Sequence, residues 1–255
     1  MATRRPPTQL SAFVLHRYDW SESSLILDLF TREQGRLAVA AKGAKRPYSQ
    51  LRSVLLPFQR LLVSLGKPSA TDQEAIEVQT LRGAEWGAGA AMLTGAALFS
   101  GFYMNELLMK LLARNDAHPQ LFDAYADTLP FLTSSDDAVV QSALRAFEFT
   151  LLRAMGVLPD LSVVSLTLQP IDERRRYAVR AEAGVSVPGP GEPAVNGGAL
   201  IRVEAALQHG SLAALQQACA ASLPELRSTA RSLLHYHLGS SVLRTRQVML
   251  EVSNA

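Results

Sequence analysis

A chain of 255 residues can bury a full core, and 48% hydrophobic against 19% charged residues is the balance of a globular protein, with no run of about 18 apolar residues to span a bilayer. Cys219 is the only cysteine, which excludes intramolecular disulfides and cysteine-based zinc sites and fits a reducing cytoplasm. Net charge is only +2, yet residues 1–67 carry eleven Lys or Arg against Asp19, Glu22, Asp28 and Glu33, a local +7, while residues 80–160 sum to −4 and residues 161–255 to +2.

The opening MATRRPPTQL has two arginines but prolines and polar residues where a signal peptide needs an apolar stretch, so it reads as a short frayed tail. Five strand-like runs follow: LSAFVL (Leu10–Leu15), SLILDLF (Ser24–Phe30), RLAVAA (Arg36–Ala41), FQRLLVSL (Phe58–Leu65) and EAIEVQTL (Glu74–Leu81). Leu25, Leu27 and Leu29 alternate with Ile26, Asp28 and Phe30, the period of a half-buried strand, and Gly35, Gly43, Pro47, Gly66 and Pro68 punctuate the gaps. Five short strands with no long helix among them suggest a small barrel of the OB type, an open antiparallel sheet being the plain alternative.

From Gly87 the texture changes. AAMLTGAALFSGFYMNELLMKLLARND repeats apolar residues at three- and four-residue steps, predicting a long, largely buried helix ended by Asn115 and Asp116. HPQLFDAYADTLPFL begins a second with Pro119 in its first turn, and Ser135 or Asp136 can cap a third, DAVVQSALRAFEFTLLRAMG, stopped by Gly156 and Pro159. SLTLQPIDERRRYAVRAEAGVSVPGPGEPAVNGG then mixes strand-like pieces with Gly and Pro and reads as an irregular excursion near residues 163–200. Helical patterns resume in VEAALQHGSLAALQQACAA and LPELRSTARSLLHYHLG, with Gly239 a helix stop. The fold class is therefore α+β and multidomain: an N-terminal five-stranded OB-type barrel over residues 1–82 and an all-α domain over 83–255.

Catalytic motifs are missing. Gly66-Lys67 is followed by Pro68 and lacks the upstream glycine of a phosphate-cradling loop, Gly87 and Gly89 open a helix with no glycine at 92, and neither GxSxG nor HExxH occurs. The close histidines His235 and His237 stand two apart, which on a helix points their rings to different faces, so no metal and no cofactor is expected. These absences point to a binding protein and not an enzyme.

The basic run is the informative feature. No acid occurs between Glu33 and Asp72, so the local field is unrelieved and attracts polyanions. KGAKRP places Lys42, Lys45 and Arg46 around Gly43 and Pro47 in a turn between strands, which can bring three cations and backbone N–H groups to one phosphate chain. Arg36 and Arg60 sit on flanking strands, Arg52 and Lys67 extend the run, and Tyr48, with Tyr18 and Trp20, offers flat faces for base stacking. The candidate nucleic-acid-binding set is thus Arg36, Lys42, Lys45, Arg46, Tyr48, Arg52, Arg60 and Lys67, with Arg244 and Arg246 in LRTRQVML a second basic site that either extends a DNA path or faces solvent. In the helical stretch, FYMNELLMKLL has the Met and Leu spacing of a core helix, while Asn105 and Glu106 within it need partners and can tie the helix to its neighbour or to the barrel. Arg174, Arg175 and Arg176 read as a solvated loop. An RNA-binding OB protein of translation or RNA processing is the alternative reading from another class, and an enzyme with a dispersed site a distant third.

The order of features resembles the RecO family of bacterial recombination mediators and DNA repair proteins over nearly the whole chain. The resemblance rests on AFVLHRYDWSESSLILDLFTREQGRLAVAAKGAKRP, LLPFQRLLVSLGK, FYMNELLMKLLARNDAHPQLFDAYADTL, RAFEFTLLRAMGVLPDL and LLHYHLGSSVLRTRQVML, with AKGAKRP and YMNELL followed by HPQLFDAY its most specific parts. It implies an OB fold followed by a helical domain, binding of single- and double-stranded DNA, annealing of complementary strands, and loading of RecA together with RecR and the single-stranded DNA-binding protein (SSB), without a catalytic centre. It supports Lys42, Lys45 and Arg46 as DNA contacts and places the protein in the cytoplasm, at the nucleoid. Many members carry a four-cysteine zinc module between the helices; Ile171 to Gly198 contains none of those cysteines, so the chain looks like a zinc-free variant. The SSB tail, acidic with an apolar last residue, would need an apolar pocket rimmed by cations, for which Lys110, Arg114, Arg145 and Arg153 are candidates, with the +7 barrel region as the competing location.

Overall fold

The period-2 runs become β1 (Gln9–Asp19), β2 (Leu25–Thr31), β3 (Gly35–Ala41), β4 (Leu61–Leu65) and β5 (Val78–Trp86), which close into a barrel in the order β1-β2-β3-β5-β4. All neighbours are antiparallel except β3 and β5, and β1 seals the barrel by pairing with β4. The structure, a computed structural model, describes residues 9–66, 78–87, 92–239, 243–245 and 247–248. The front of the run expected to form β5, residues 74–77, lies outside these; the strand continues past the expected end at Leu81 to Trp86. Between β3 and β4 a short helix, α1 (Gln50–Val54), has no counterpart in the sequence reading, because five residues are too few to show a helical period.

Alternate residues of the strands, among them Ala12, Val14, Leu27, Leu29, Leu37 and Val39, fill the barrel, each buried branched side chain contributing about 1.5–3 kcal/mol. The opposite face of β1 and β2 is covered as well. Phe13 and Phe30, cross-strand partners, pack on Phe122 with ring centroids 5.2 and 5.4 Å away. Asn105 of α2 (Gly95–Leu111) donates its amide to the Leu15 carbonyl at 3.0 Å, so the buried asparagine does tie its helix to the barrel. By its internal packing the chain forms two compact units, residues 1–123 and 124–255, so α2 belongs with the strands.

Helix α3 (Pro119–Thr128) runs into a 3-10 turn over Leu129–Thr133. In the second unit α4 (Asp137–Ala154) is the central helix, its N-terminus capped by Asp136, which accepts from the Ala138 N–H at 2.9 Å. The VEAALQHGSLAALQQACAA run is two helices, α5 (Gly197–His209) and α6 (Leu212–Ala220), because Gly210 turns left-handed at φ 70 and Ser211 caps the second start. Helix α7 (Leu223–Leu238) completes the packing.

The excursion is more ordered than its composition suggests. Its β6 (Arg176–Arg180), β7 (Gly184–Ser186) and β8 (Val195–Asn196) form a three-stranded antiparallel sheet in the order β7-β6-β8. Tyr177, Val185 and Val195, one on each strand, are buried. Arg180 holds Glu192 with a two-pronged ion pair, and Arg176 reaches Glu225 of α7 at 2.7 Å. Among the described residues no group of three or more His, Cys, Asp or Glu could hold a metal ion, and no helix is long and apolar enough to cross a membrane.

Candidate nucleic-acid interface

The basic loop leaves β3 through a left-handed Gly43 at φ 71, a conformation that costs other residues about 1–2 kcal/mol. The turn lets Ala44 plug the barrel core while Lys42 and Arg46, on either side, stay exposed. Successive turns, Arg46 N–H to the Gly43 carbonyl at 3.1 Å and Ser49 N–H to the Arg46 carbonyl at 3.0 Å, lead into α1. The loop is pinned to the β1–β2 hairpin: the Lys45 N–H donates to the Ser23 carbonyl at 3.0 Å, and the Gly43 N–H to Ser24 Oγ at 3.3 Å.

Lys45 serves a different end from its neighbours. Its ammonium donates to the Ser21 carbonyl at 3.0 Å and pairs with Asp19 at 3.1 Å, so it holds the two loops together instead of pointing freely at solvent. Tyr48 is 100% exposed at the loop's far end, and Arg52 is exposed on α1. Lys42, Lys45, Arg46, Tyr48 and Arg52 therefore share one loop and helix at the barrel's mouth.

Other candidates are placed elsewhere. The Arg36 guanidinium turns inward to the Met109 carbonyl and the buried Asp28, 3.7 Å away, where Arg114 also reaches Asp28 at 3.7 Å. The buried Asp28 carboxylate is charge-paired with both arginines, although its Oδ1 and the Arg36 Nε have no hydrogen-bond partner, so the Arg36 guanidinium faces the interior of the unit. Burial first, and then Asp28, hold the nearby Tyr18 phenol above its ordinary pKa. Arg60 lies over the Phe122 ring at 5.8 Å, a cation–π contact inside the unit. Lys67 and Arg246 fall outside the described residues, and Arg244 is exposed in the second unit.

Of the tail-binding candidates, Lys110 pairs with Glu106 at 3.2 Å and Arg114 keeps 43% of its side chain exposed, both in the first unit. Arg145 is buried against Glu148, and Arg153 reaches Glu204 at 2.5 Å, both in the second unit. These last two are occupied in ion pairs within the helical packing.

Two residues escaped the sequence reading. Arg17 lies on β1 beyond a bulge that shifts the register between Val14 and His16. The extra residue turns Arg17 and Asp19 to the face that Leu27 and Leu25 share, and Arg17 donates to the Leu55 carbonyl at 3.3 Å. A bulge has no residue signature in LSAFVLHRYD, so nothing in the run announced it. Trp86, 61% exposed, ends β5 with its indole N–H on the Val54 carbonyl at 3.3 Å. Reading β5 to its true end would have added this aromatic to Trp20, which is 56% exposed.

A closed five-stranded barrel with a cationic loop and helix between β3 and β4 is the architecture of the OB class. Residues 6–81 match the family model described as Recombination protein O N terminal, and residues 92–247 match Recombination protein O C terminal. Proteins called DNA repair protein RecO are similar along the full chain. That of Polaromonas sp. (strain JS666 / ATCC BAA-500) is 47% identical over 261 residues, covering 99% of each chain. That of Variovorax paradoxus (strain S110) is 46% identical with 99% of each covered, and that of Delftia acidovorans (strain DSM 14801 / SPH-1) 47% identical with 100% of each covered. The chain belongs to the RecO family of DNA repair and recombination proteins.

Proposed function

We propose that the protein is a non-enzymatic recombination mediator that binds single- and double-stranded DNA, anneals complementary strands and helps load RecA, acting with RecR and the SSB tail in the cytoplasm, at the nucleoid. The observation that carries this reading is the exposed pair Lys42 and Arg46, thrown outward by the Gly43 turn beside Tyr48 and Arg52. Two cations flanking a turn suit consecutive phosphates, and such contacts supply affinity without reading sequence. Lys110, Arg114 and Arg153 are the candidates for the acidic tail, since their side chains are 37%, 43% and 37% exposed while Arg145 is buried.

The test pairs annealing with salt dependence. Replacing Lys42 and Arg46 together by Ala slows annealing of complementary oligonucleotides and flattens log K against log salt by about 0.7–0.9 for each phosphate that is no longer neutralised. Lys45→Ala, which removes a loop tie, changes the slope less. A folded double variant with the wild-type slope and annealing rate would refute this placement of the phosphate track.

A further inference from the structure

We infer that the groove between the re-aimed end of β1 and helix α1 receives one unstacked nucleotide of a single DNA strand, and so separates single strands from duplex. The inference deepens the DNA-binding reading above and rests on it. The groove encloses about 420 Å³, within the roughly 300–1,000 Å³ of small-ligand sites. Its floor is aliphatic, made by Leu25, Ala44, Leu51 and Leu55, the same side chains that cap the barrel core. Its rim is cationic, with Arg17 and Arg52 joined by Lys45. The one acid in the lining, Asp19, is paired with Lys45 at 3.1 Å, so the two arginines set the sign of the field.

An apolar floor under a positive rim fits a ligand with a flat, weakly polar body and an anionic edge, which is the chemistry of a nucleotide. A base in a duplex is paired and stacked, so it reaches such a groove only at the cost of leaving the helix; a single strand has little to lose. The β1 bulge is the device that makes the site. Without its extra residue the alternation that places Val14 inward would turn Arg17 to the opposite face, leaving the rim with one arginine fewer. Arg17 is also held in place beforehand by the Leu55 carbonyl at 3.3 Å. Lys42 and Arg46 lie on the adjoining loop, outside the lining, where the neighbouring phosphates of the same strand can follow.

The experiment measures binding of the full chain to a mixed-sequence single strand and to its duplex, by fluorescence anisotropy. Leu51→Trp fills the groove without altering charge and is expected to weaken single-strand binding about tenfold while duplex binding stays within about twofold. Arg17→Met, on a side chain exposed at the strand's end, removes one of the groove's two arginines, lowers single-strand affinity in the same selective way, and decides the matter if the first variant fails to fold. Equal losses on both forms would make the groove part of a common phosphate track and overturn the inference, as would unchanged single-strand binding in folded variants. Wild-type protein that binds neither form would instead sink the DNA-binding reading itself.

Discussion

Gly35 and Gly43 share a φ of 71 but differ in what surrounds them, and substituting each by Ala separates backbone strain from steric conflict. A Cβ on Gly43 would meet only the flexible Arg46 side chain, at 3.5 Å, so Gly43→Ala should cost the left-handed penalty alone, about 1–2 kcal/mol. A Cβ on Gly35 would fall 1.8 Å from the Asp116 carbonyl oxygen and 2.4 Å from its carbon, both backbone atoms. The segment after α2 must then retreat from β3. That breaks the Asn115 N–H bond to the Arg36 carbonyl, 2.9 Å long, worth about 1 kcal/mol, and draws Arg114 away from the buried Asp28. Strain, hydrogen bond and a weakened buried charge pair add to about 3–5 kcal/mol for Gly35→Ala. Urea unfolding of both variants measures the difference: with a slope of about 1–3 kcal/mol per molar, Gly35→Ala should unfold roughly 1 M earlier than Gly43→Ala. Equal midpoints would refute the reasoning, since they would mean that the backbone at Asp116 yields at no energetic cost.

The buried Cys219 thiol, pushed up to about 12 chiefly by desolvation, should be about one part in ten thousand thiolate at pH 8 and unreactive toward a thiol-specific disulfide reagent until the chain is unfolded; rapid native labelling would contradict its burial. Arg145→Met should destabilise the fold, by up to about 3–5 kcal/mol, because it removes the guanidinium paired with the buried Glu148, and Arg145→Met with Glu148→Leu should recover part of it, so a double variant no better than the single one would show that the ion pair is not the source of the loss. The Gly189 N–H and Arg180 hold the Glu192 carboxyl below its ordinary pKa, so its contribution is present above the unfolded carboxylate value near 4.3 and is lost as pH falls through the lower, folded value. Glu192→Gln should therefore flatten the acid limb of a melting-temperature profile, and an unchanged limb would show that this pair does not contribute to the pH dependence.

Much of the fold was legible because it depends on local periodicity. The alternation in SLILDLF, the three- and four-residue spacing in DAVVQSALRAFEFTLLRA and the stop at Gly239 each name an element from its own residues, and the one-signed run from Lys42 to Lys67 located the basic loop. Composition, by contrast, made residues 163–200 look irregular, because three strands of two to five residues are too short to carry a period; burial of Tyr177 and Val195 orders them.

Which cations face solvent could not be read along the chain. The run from Arg36 to Lys67 holds no acid of its own, but the fold brings Asp19 to Lys45 from the neighbouring hairpin and Asp28 to Arg36 from the neighbouring strand. In the other direction, a one-residue bulge brings Arg17 round to the barrel's mouth beside Arg52. Sequence determined that the first sixty-seven residues form short strands and carry excess positive charge, since charge and alternation are properties of neighbours in the chain. Register, bulge and turn decided where that charge is displayed, because a side chain's partner in a sheet lies on another strand, and one added residue exchanges the two faces.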